Sequence, residues 1–352
     1  MVRVLDEVAR QPLSTERKTR RLLVVTRDDP ETVRGGVETF CRRLKEVFPG
    51  STVLPYAGSA RPGRWLNEAR DARAALGRIE RELQRNPADV VVANGAAAWA
   101  WAGRDHLPPV VTVYHGTYAG YGRMLSRREP LHGLWTCTAG ASLERWAGRG
   151  AACVAVSERV AMEALRHYGV DAVQIPNAVD LPEPAPRRDR RDRDRFRVLF
   201  VGRPTWSKGF DVLVAAAEQR PEWEWLGVGV PEGLHPAIQG LGELDPSEVA
   251  DCYPCVDAVM VPSRYEGCSY VPLEAMAADC PVVVSDVGSF AQTGRFPYGF
   301  VVPKGSVEAN LEALEEVRRD GTPFTPKKWV GKHHGFARFA RSWRGLIEEM
   351  CS

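Results

Sequence analysis

Glu266 and Glu274 bracket the stretch Glu266-Gly-Cys-Ser-Tyr-Val-Pro-Leu-Glu274, between the strand-like run Asp257–Pro262 and the helix-like run Leu273–Ala278. One carboxylate stands on a loop and the other on the first helical turn, with a row of backbone amides between them that includes Cys268, Ser269 and Tyr270. The first amides of a helix lack partners and lie at the positive end of its dipole, so they attract phosphate. Carboxylates on either side of that row accept hydrogen bonds from hydroxyls. The stretch therefore suits a ligand that joins hydroxyls to phosphate, as a sugar nucleotide does.

A second stretch has related chemistry. Val201-Gly202-Arg203-Pro-Thr-Trp-Ser-Lys208-Gly209 reads as a strand end, a glycine and two cations ahead of a helix. The glycine lets backbone come close to a ligand, Arg203 can grip phosphate oxygens through its fork, and Lys208 adds a mobile point charge. Two other candidate patterns carry less. Cys252-x-x-Cys255 has no second cysteine pair or nearby histidine pattern to complete a zinc site, so the thiols read as small packing groups beside Tyr253. Asp192-Arg-Asp194 lies in a run of alternating charge, where such a match means little.

These residues need elements to hold them, and 352 residues suit two domains of ordinary size. Hydrophobic content of 44% and charged content of 26% are those of a globular protein. With 47 basic and 45 acidic side chains, a net charge of +2 creates no global field for nucleic acid. Eight cysteines lack the paired spacing of a disulfide framework, no apolar run is long enough to span a bilayer, and the start of the chain lacks a secretory apolar stretch. A cytoplasmic protein is expected, with at most peripheral contact at the inner face of the membrane.

Strand-like apolar runs at Arg21–Thr26, Thr52–Pro55, Asp89–Ala93, Val110–Tyr114, Ala152–Val156 and Ala172–Ile175 alternate with helix-like stretches at Val37–Phe48, Gly63–Arg85, Leu143–Gly148 and Glu158–Tyr168. Alternation of this kind predicts a doubly wound α/β domain. A proline-rich and then densely charged segment follows, and a second series restarts at Phe196–Val201 and runs through Glu224–Val228, Ala258–Pro262, Val282–Ser285 and Gly299–Val302. The expected organisation is a basic extension over 1–20, a first Rossmann-like domain over 21–182, a linker over 183–195, a second domain over 196–335, and a terminal helix over 336–352 that returns to the first domain. The two domains would face each other across a cleft.

Taken together, the stretch resembles the retaining glycosyltransferases of family 4, which adopt the GT-B fold. The resemblance also rests on Gly35-Gly36-Val37-Glu38, His115-Gly116-Thr117, Ile175-Pro-Asn-Ala-Val-Asp180, Pro262-Ser263, Pro281-Val-Val-Val-Ser285 and Phe339-Ala-Arg-Ser-Trp343. It implies transfer of a hexosyl unit from a UDP- or GDP-linked sugar to a small or lipid-linked hydroxyl acceptor, with no metal and no other cofactor. Arg203 and Lys208 would neutralise the departing diphosphate, Glu266 would hold sugar hydroxyls and Glu274 the ribose. Gly35, Gly36 and Gly202 would bring backbone to the diphosphate, and His115 would sit near donor sugar and acceptor.

Three segments depart from the family pattern: Cys268 and Ser269 replace an aromatic and a glycine, Ala178 replaces a glycine, and Asp279-Cys280 replaces a glycine-containing lead into the next strand. They point to an unusual donor or a tightened site. In the loop read between Tyr114 and Glu129, Tyr118, Tyr121, Arg123 and Arg127 suit a polar, anionic acceptor. A non-catalytic sugar-nucleotide-binding partner and an epimerase or phosphorylase of the same fold are the competing expectations.

Overall fold

The computed structural model describes residues 20–56, 70–183, 195–290, 295–296, 299–320 and 326–352. They divide into two compact units, one of residues 1–178 with 337–352 and the other of residues 179–336. The basic extension, most of the charged linker and the first part of the helix expected from Gly63 lie outside the described residues.

In the first unit, β1 (Leu22–Thr26), β2 (Thr52–Pro55), β3 (Val90–Asn94), β4 (Val110–Tyr114), β5 (Ala152–Ala155) and β6 (Val173–Gln174) form one parallel sheet in the order β2-β1-β3-β4-β5-β6. Every residue of β1, β3 and β4 is buried, which is why these strands read as continuous apolar runs rather than alternating ones. The helices α1 (Gly36–Val47), α2 (Leu76–Arg85), α3 (Tyr118–Leu125), α4 (Pro130–Trp135), α5 (Ala141–Ala147) and α6 (Glu158–Tyr168) belong to this unit. A π-helical turn over Thr136–Gly140 joins α4 to α5, with right-handed helical backbone at both junctions. Helix α1 buries Phe40, Cys41, Leu44 and Val47, the spacing of a single helical stripe.

The second unit is a seven-stranded sheet of β7 (Arg197–Val201), β8 (Glu224–Val228), β9 (Gln239–Gly242), β10 (Ala258–Val261), β11 (Val282–Ser285), β12 (Arg295–Phe296) and β13 (Gly299–Val302), ordered β12-β13-β11-β10-β7-β8-β9. All neighbours are parallel except the short β12, which runs antiparallel to β13. Its helices are α7 (Phe210–Gln219), α8 (Pro246–Cys252), α9 (Tyr270–Ala277), α10 (Val307–Asp320) and α11 (Lys327–His334). The final helix α12 (Phe336–Cys351) buries Phe339, Ala340, Trp343, Leu346 and Ile347. Rings of Phe339 and Trp343 meet Phe40 of α1 edge-on, with centroids 6.0 and 5.7 Å apart, so this last stretch closes the first unit.

Four elements differ from the sequence expectation. The Tyr114–Glu129 loop contains helix α3, nucleated by Thr117, whose hydroxyl accepts from Gly120 N at 3.0 Å. The edge strand β9, Gln239–Gly242, is not among the expected strands. Helix α9 starts at Tyr270 rather than Leu273, because Pro272 is tolerated in a first turn. The charged α10 was not anticipated, although Leu311, Leu314 and Val317 keep helical spacing and are buried.

Both sheets reverse their order beside the first strand. In the second unit the chain builds outward from β7 through β8 to β9, then returns to lay β10 on the other side of β7. The carboxyl ends of β7 and β10 flank this switch point, the crevice where ligands of such sheets bind. In the first unit the same reversal falls between β1 and β3.

Candidate functional site

The loop leaving β7 is shaped by glycines. Gly202 has φ +153 and donates its amide to Val228 O at 3.0 Å, so the chain turns off the sheet without a Cβ in the crevice. A 3-10 turn over Trp206–Lys208 then ends at Gly209, whose φ of +72 both stops the turn and opens α7. Gly209 packs so closely on Pro262, after β10, that a Cβ there would stand 2.7 Å from the Pro262 carbonyl carbon and overlap its oxygen. The two switch-point loops are in this way backbone against backbone.

Lys208 uses that proximity. Its Nζ lies 2.5 Å from Glu266 Oε1, and the same oxygen accepts from Ser263 Oγ at 2.8 Å. The pair is shielded, with side-chain exposure of 34% for Lys208 and 15% for Glu266, so the attraction is stronger than it would be in open water. Arg203 is exposed at the start of the same loop.

Arg264 holds the loops together. Its guanidinium grips Asp211 with both nitrogens at 2.6 and 2.8 Å, donates to Trp206 O at 2.7 Å and lies 4.5 Å over the Trp206 ring. Its own amide donates to Ser207 O at 2.8 Å. Neither Arg264 nor Asp211 figures in the sequence reading, because their pairing spans 53 residues and has no local spacing to betray it. Ser263 belongs to the Pro262-Ser263 pair on which the resemblance rests, but no role was attached to it.

The Glu266–Glu274 stretch runs from this loop into α9. Ser269 is the residue before the helix, Cys268 is buried, and Tyr270, Leu273 and Met276 pack inward. Glu274 accepts from Tyr253 OH at 2.9 Å. Burial, and then the nearby Glu274 charge, push the Tyr253 phenol well above its ordinary pKa, so it stays a neutral donor. The residue of consequence in the Cys252–Cys255 stretch is thus the tyrosine inside it; neither thiol is in a disulfide, and burial followed by the neighbouring Cys255 raises the Cys252 pKa. A small pocket lined by Glu266, Ser269, Ser285, Ser289 and Phe290 opens at the ends of β10 and β11. In it the Ser285 hydroxyl is buried with no partner among the described residues.

Asp279 explains one departure from the family pattern. It adopts φ +56, the left-handed conformation a glycine takes at no cost, and its carboxylate accepts from Lys327 N at 3.1 Å. Asp and Asn visit this region more readily than other side chains because they bond locally. Ala178 is buried at 1% exposure.

In the first unit the expected residues stand on the loops and first helical turns that follow the carboxyl ends of β1 and β4, or on helix α3 and just beyond it. Gly35 precedes α1 in extended conformation, with the Glu38 carboxylate against it, and Gly36 is the first helical residue. His115 follows β4, and its Nε2 lies 2.7 Å from Asn94 Oδ1 at the end of β3. Asn94 Nδ2 points at Val25 O, 3.4 Å away, and Cys41 Sγ, 3.3 Å away, both acceptors. Oδ1 is therefore the side of the amide that accepts, and His115 donates from Nε2 and keeps Nδ1 as acceptor. Burial pushes the Cys41 thiol up to about 12, so it remains protonated. Tyr118 and Tyr121 lie on α3, half-buried, Arg123 reaches His167 Nε2 at 3.2 Å, and Arg127 is exposed just beyond the helix.

Burial also lowers the His115 imidazole from 6.5 to about 4. Between those values the unfolded chain takes up a proton that the folded chain refuses, so acid favours unfolding. The contribution is complete above 6.5 and is lost as pH falls through about 4. Up to about 3 kcal/mol of stability depends on it. Thermal midpoints recorded from neutral to acid pH are expected to fall less steeply for His115→Gln than for the unaltered chain; parallel curves would contradict a neutral buried imidazole.

The chain matches the sequence model described as Glycosyltransferase Family 4 over residues 21–183, and that described as Glycosyl transferases group 1 over residues 195–320. A lipopolysaccharide core biosynthesis mannosyltransferase of Rhizobium meliloti is 26% identical over 218 residues, 56% of this chain and 59% of the relative. A phosphatidyl-myo-inositol mannosyltransferase of Mycobacterium leprae is 29% identical over 288 residues, 76% of this chain and 72% of the relative. The chain thus spans a little under two thirds of the first of these relatives. Among solved structures, a sucrose-phosphate synthase from Thermosynechococcus elongatus superposes with TM-score 0.76 at 19% identity, covering 94% of this chain and 98% of that one. Anabaena HepE, solved with UDP and glucose, superposes with TM-score 0.71 at 17% identity, over 94% of this chain and 99% of that one.

Proposed function

Because the chain belongs to the family-4 glycosyltransferases, we propose that it moves a hexosyl unit from a UDP- or GDP-linked sugar to a hydroxyl acceptor, with retention at the anomeric carbon and without a metal. The observation that carries this reading is the Lys208–Glu266 pair at 2.5 Å, set where the sheet order of the second unit reverses.

As the bond from the anomeric carbon to the diphosphate oxygen breaks, negative charge accumulates on the departing phosphate. Lys208 and the exposed Arg203 are the cations of that crevice and offset this charge. Donors aimed at charge that develops in the transition state are the largest catalytic contribution in many enzymes. The acceptor oxygen attacks on the face the leaving group vacates, and its proton passes to the departing phosphate. Lys208 exchanges part of its contact with Glu266 for phosphate oxygen, which frees carboxylate lone pairs for sugar hydroxyls. Glu274, steadied by Tyr253, accepts from the ribose, and the Ser285 hydroxyl gains a partner from a ligand in the adjoining pocket. The relatives named as mannosyltransferases and the neighbour solved with UDP and glucose favour this donor class. The phosphatidyl-inositol relative favours a lipid-linked acceptor.

Thermal-shift titration with UDP and GDP, followed by nucleotide release from UDP-glucose and GDP-mannose without acceptor, tests the proposal. One nucleotide should raise the midpoint in proportion to its affinity, and its sugar conjugate should be hydrolysed slowly whether or not chelator is present. Failure of both nucleotides to shift the midpoint would overturn it. Binding without turnover on any acceptor would mark a partner protein instead.

A further inference from the structure

The helical stretch from Pro130 to Ala147 turns apolar side chains to solvent. Leu131 is 78% exposed, Leu134 56%, Trp135 50% and Trp146 46%. The outward face of a helix on a globular domain ordinarily carries polar residues. Here three large apolar groups occupy positions i, i+3 and i+4 of that face.

The helix is not free to roll and bury them. Its inner face is seated on α3 at glycine contacts on both sides. A Cβ at Gly133 would stand 2.5 Å from Ser126 Cα, one at Gly122 2.5 Å from Cys137 N, and one at Gly140 2.9 Å from the Tyr118 ring. Thr136 and Glu144 are buried on the same inner side, and Glu144 Oε2 accepts from Tyr118 N at 2.7 Å and from Tyr168 OH at 2.5 Å. The outward position of Leu131, Leu134 and Trp135 is therefore fixed by backbone packing.

Basic residues flank the apolar group along the chain. From residue 123 to 149 the exposed cations are Arg123, Arg127, Arg128, Arg145 and Arg149. Over that range only two carboxylates occur, the buried Glu144 and the exposed Glu129, which is held by His132 Nδ1 at 2.9 Å. We propose that this face docks on an anionic lipid surface, with Leu131, Leu134 and Trp135 entering the headgroup boundary and the arginines facing lipid phosphates. Leucine and tryptophan flanked by arginine form the pattern of an interfacial helix, in which apolar burial and charge attraction each supply part of the binding. A second copy of the chain fits less well, because a twofold contact through the same patch sets its arginines against their own images. No described helix is long and apolar enough to cross a membrane, so the contact is with a surface. None of its apolar residues belongs to the donor site, while Arg123 and Arg127 are shared with the expected acceptor site.

Co-sedimentation of the full chain with vesicles of phosphatidylcholine, with and without phosphatidylglycerol, tests it. The chain is expected to pellet with the anionic vesicles, to stay in solution with neutral ones, and to be released by salt. Changing Leu131, Leu134 and Trp135 together to serine should lower the partition coefficient about tenfold or more. Arg145→Glu with Arg149→Glu should weaken binding most at low salt. Leu131→Ser alone, at the most exposed site, gives the same direction should the triple variant fold poorly. Absence of pelleting, equal pelleting of all variants, or concentration-dependent self-association through these residues without vesicle binding would each overturn the proposal.

Discussion

Lys208→Ala is expected to cut the rate of nucleotide release from the donor by about 10²- to 10³-fold, the usual cost of losing one preorganised group aimed at developing charge. The size follows from where the ammonium is held. It is fixed by Glu266 at 2.5 Å and sits on a turn that Arg264 ties to β10, so little reorganisation accompanies bond breaking. Alanine also leaves Glu266, 15% exposed, with Ser263 as its remaining hydrogen-bond donor among the described residues, and that carboxylate then faces an incoming diphosphate with its charge uncompensated. Binding and turnover should both suffer. Lys208→Arg keeps the charge but not the reach, and an intermediate rate is expected from it. Release assays on purified variants with unchanged thermal midpoints decide the point, and full activity in the alanine variant would remove Lys208 from the mechanism.

Gly209→Ala should be the most damaging conservative change to the second unit. Two costs add: a left-handed φ of +72, which an L side chain tolerates at about 1 kcal/mol or more, and overlap with the Pro262 carbonyl, a backbone group that cannot rotate away. A loss of at least about 3 kcal/mol is expected, roughly 6–12 °C in the midpoint of a domain this size. Gly233 supplies the control. It has nearly the same φ, +71, but no atom within 4 Å of a built Cβ, so Gly233→Ala should cost only about 1 kcal/mol. Calorimetry of both variants measures the difference; equal midpoints would mean that the close approach of the two loops does not constrain the fold.

Much of the scaffold was legible because buried parallel strands leave an unambiguous trace. Leu22–Thr26, Val90–Asn94 and Val110–Tyr114 are apolar apart from Thr26, Asn94 and Thr112, and they are strands buried on both faces. Arg203, Lys208 and Glu266 were legible for a related reason: each follows the end of β7 or β10, where glycine or proline punctuates the chain. Helix α3 was not, since Tyr118-Ala-Gly-Tyr-Gly has two weak helix formers and depends on the Thr117 cap and on packing against the next helix. Long-range partners escaped altogether. Arg264 and Asp211, Tyr253 and Glu274, and His115 and Asn94 are joined by the fold and by nothing in their spacing.

The Arg264 contacts carry a consequence for substrate capture. A lysine on a loose loop would have to be immobilised anew by each donor molecule, and the lost freedom would subtract from affinity. By gripping Asp211, the Trp206 carbonyl and the Trp206 ring, Arg264 completes that ordering once, when the chain folds. A residue that need touch no ligand thereby sets how tightly a ligand is held, and the donor meets a cation already in place.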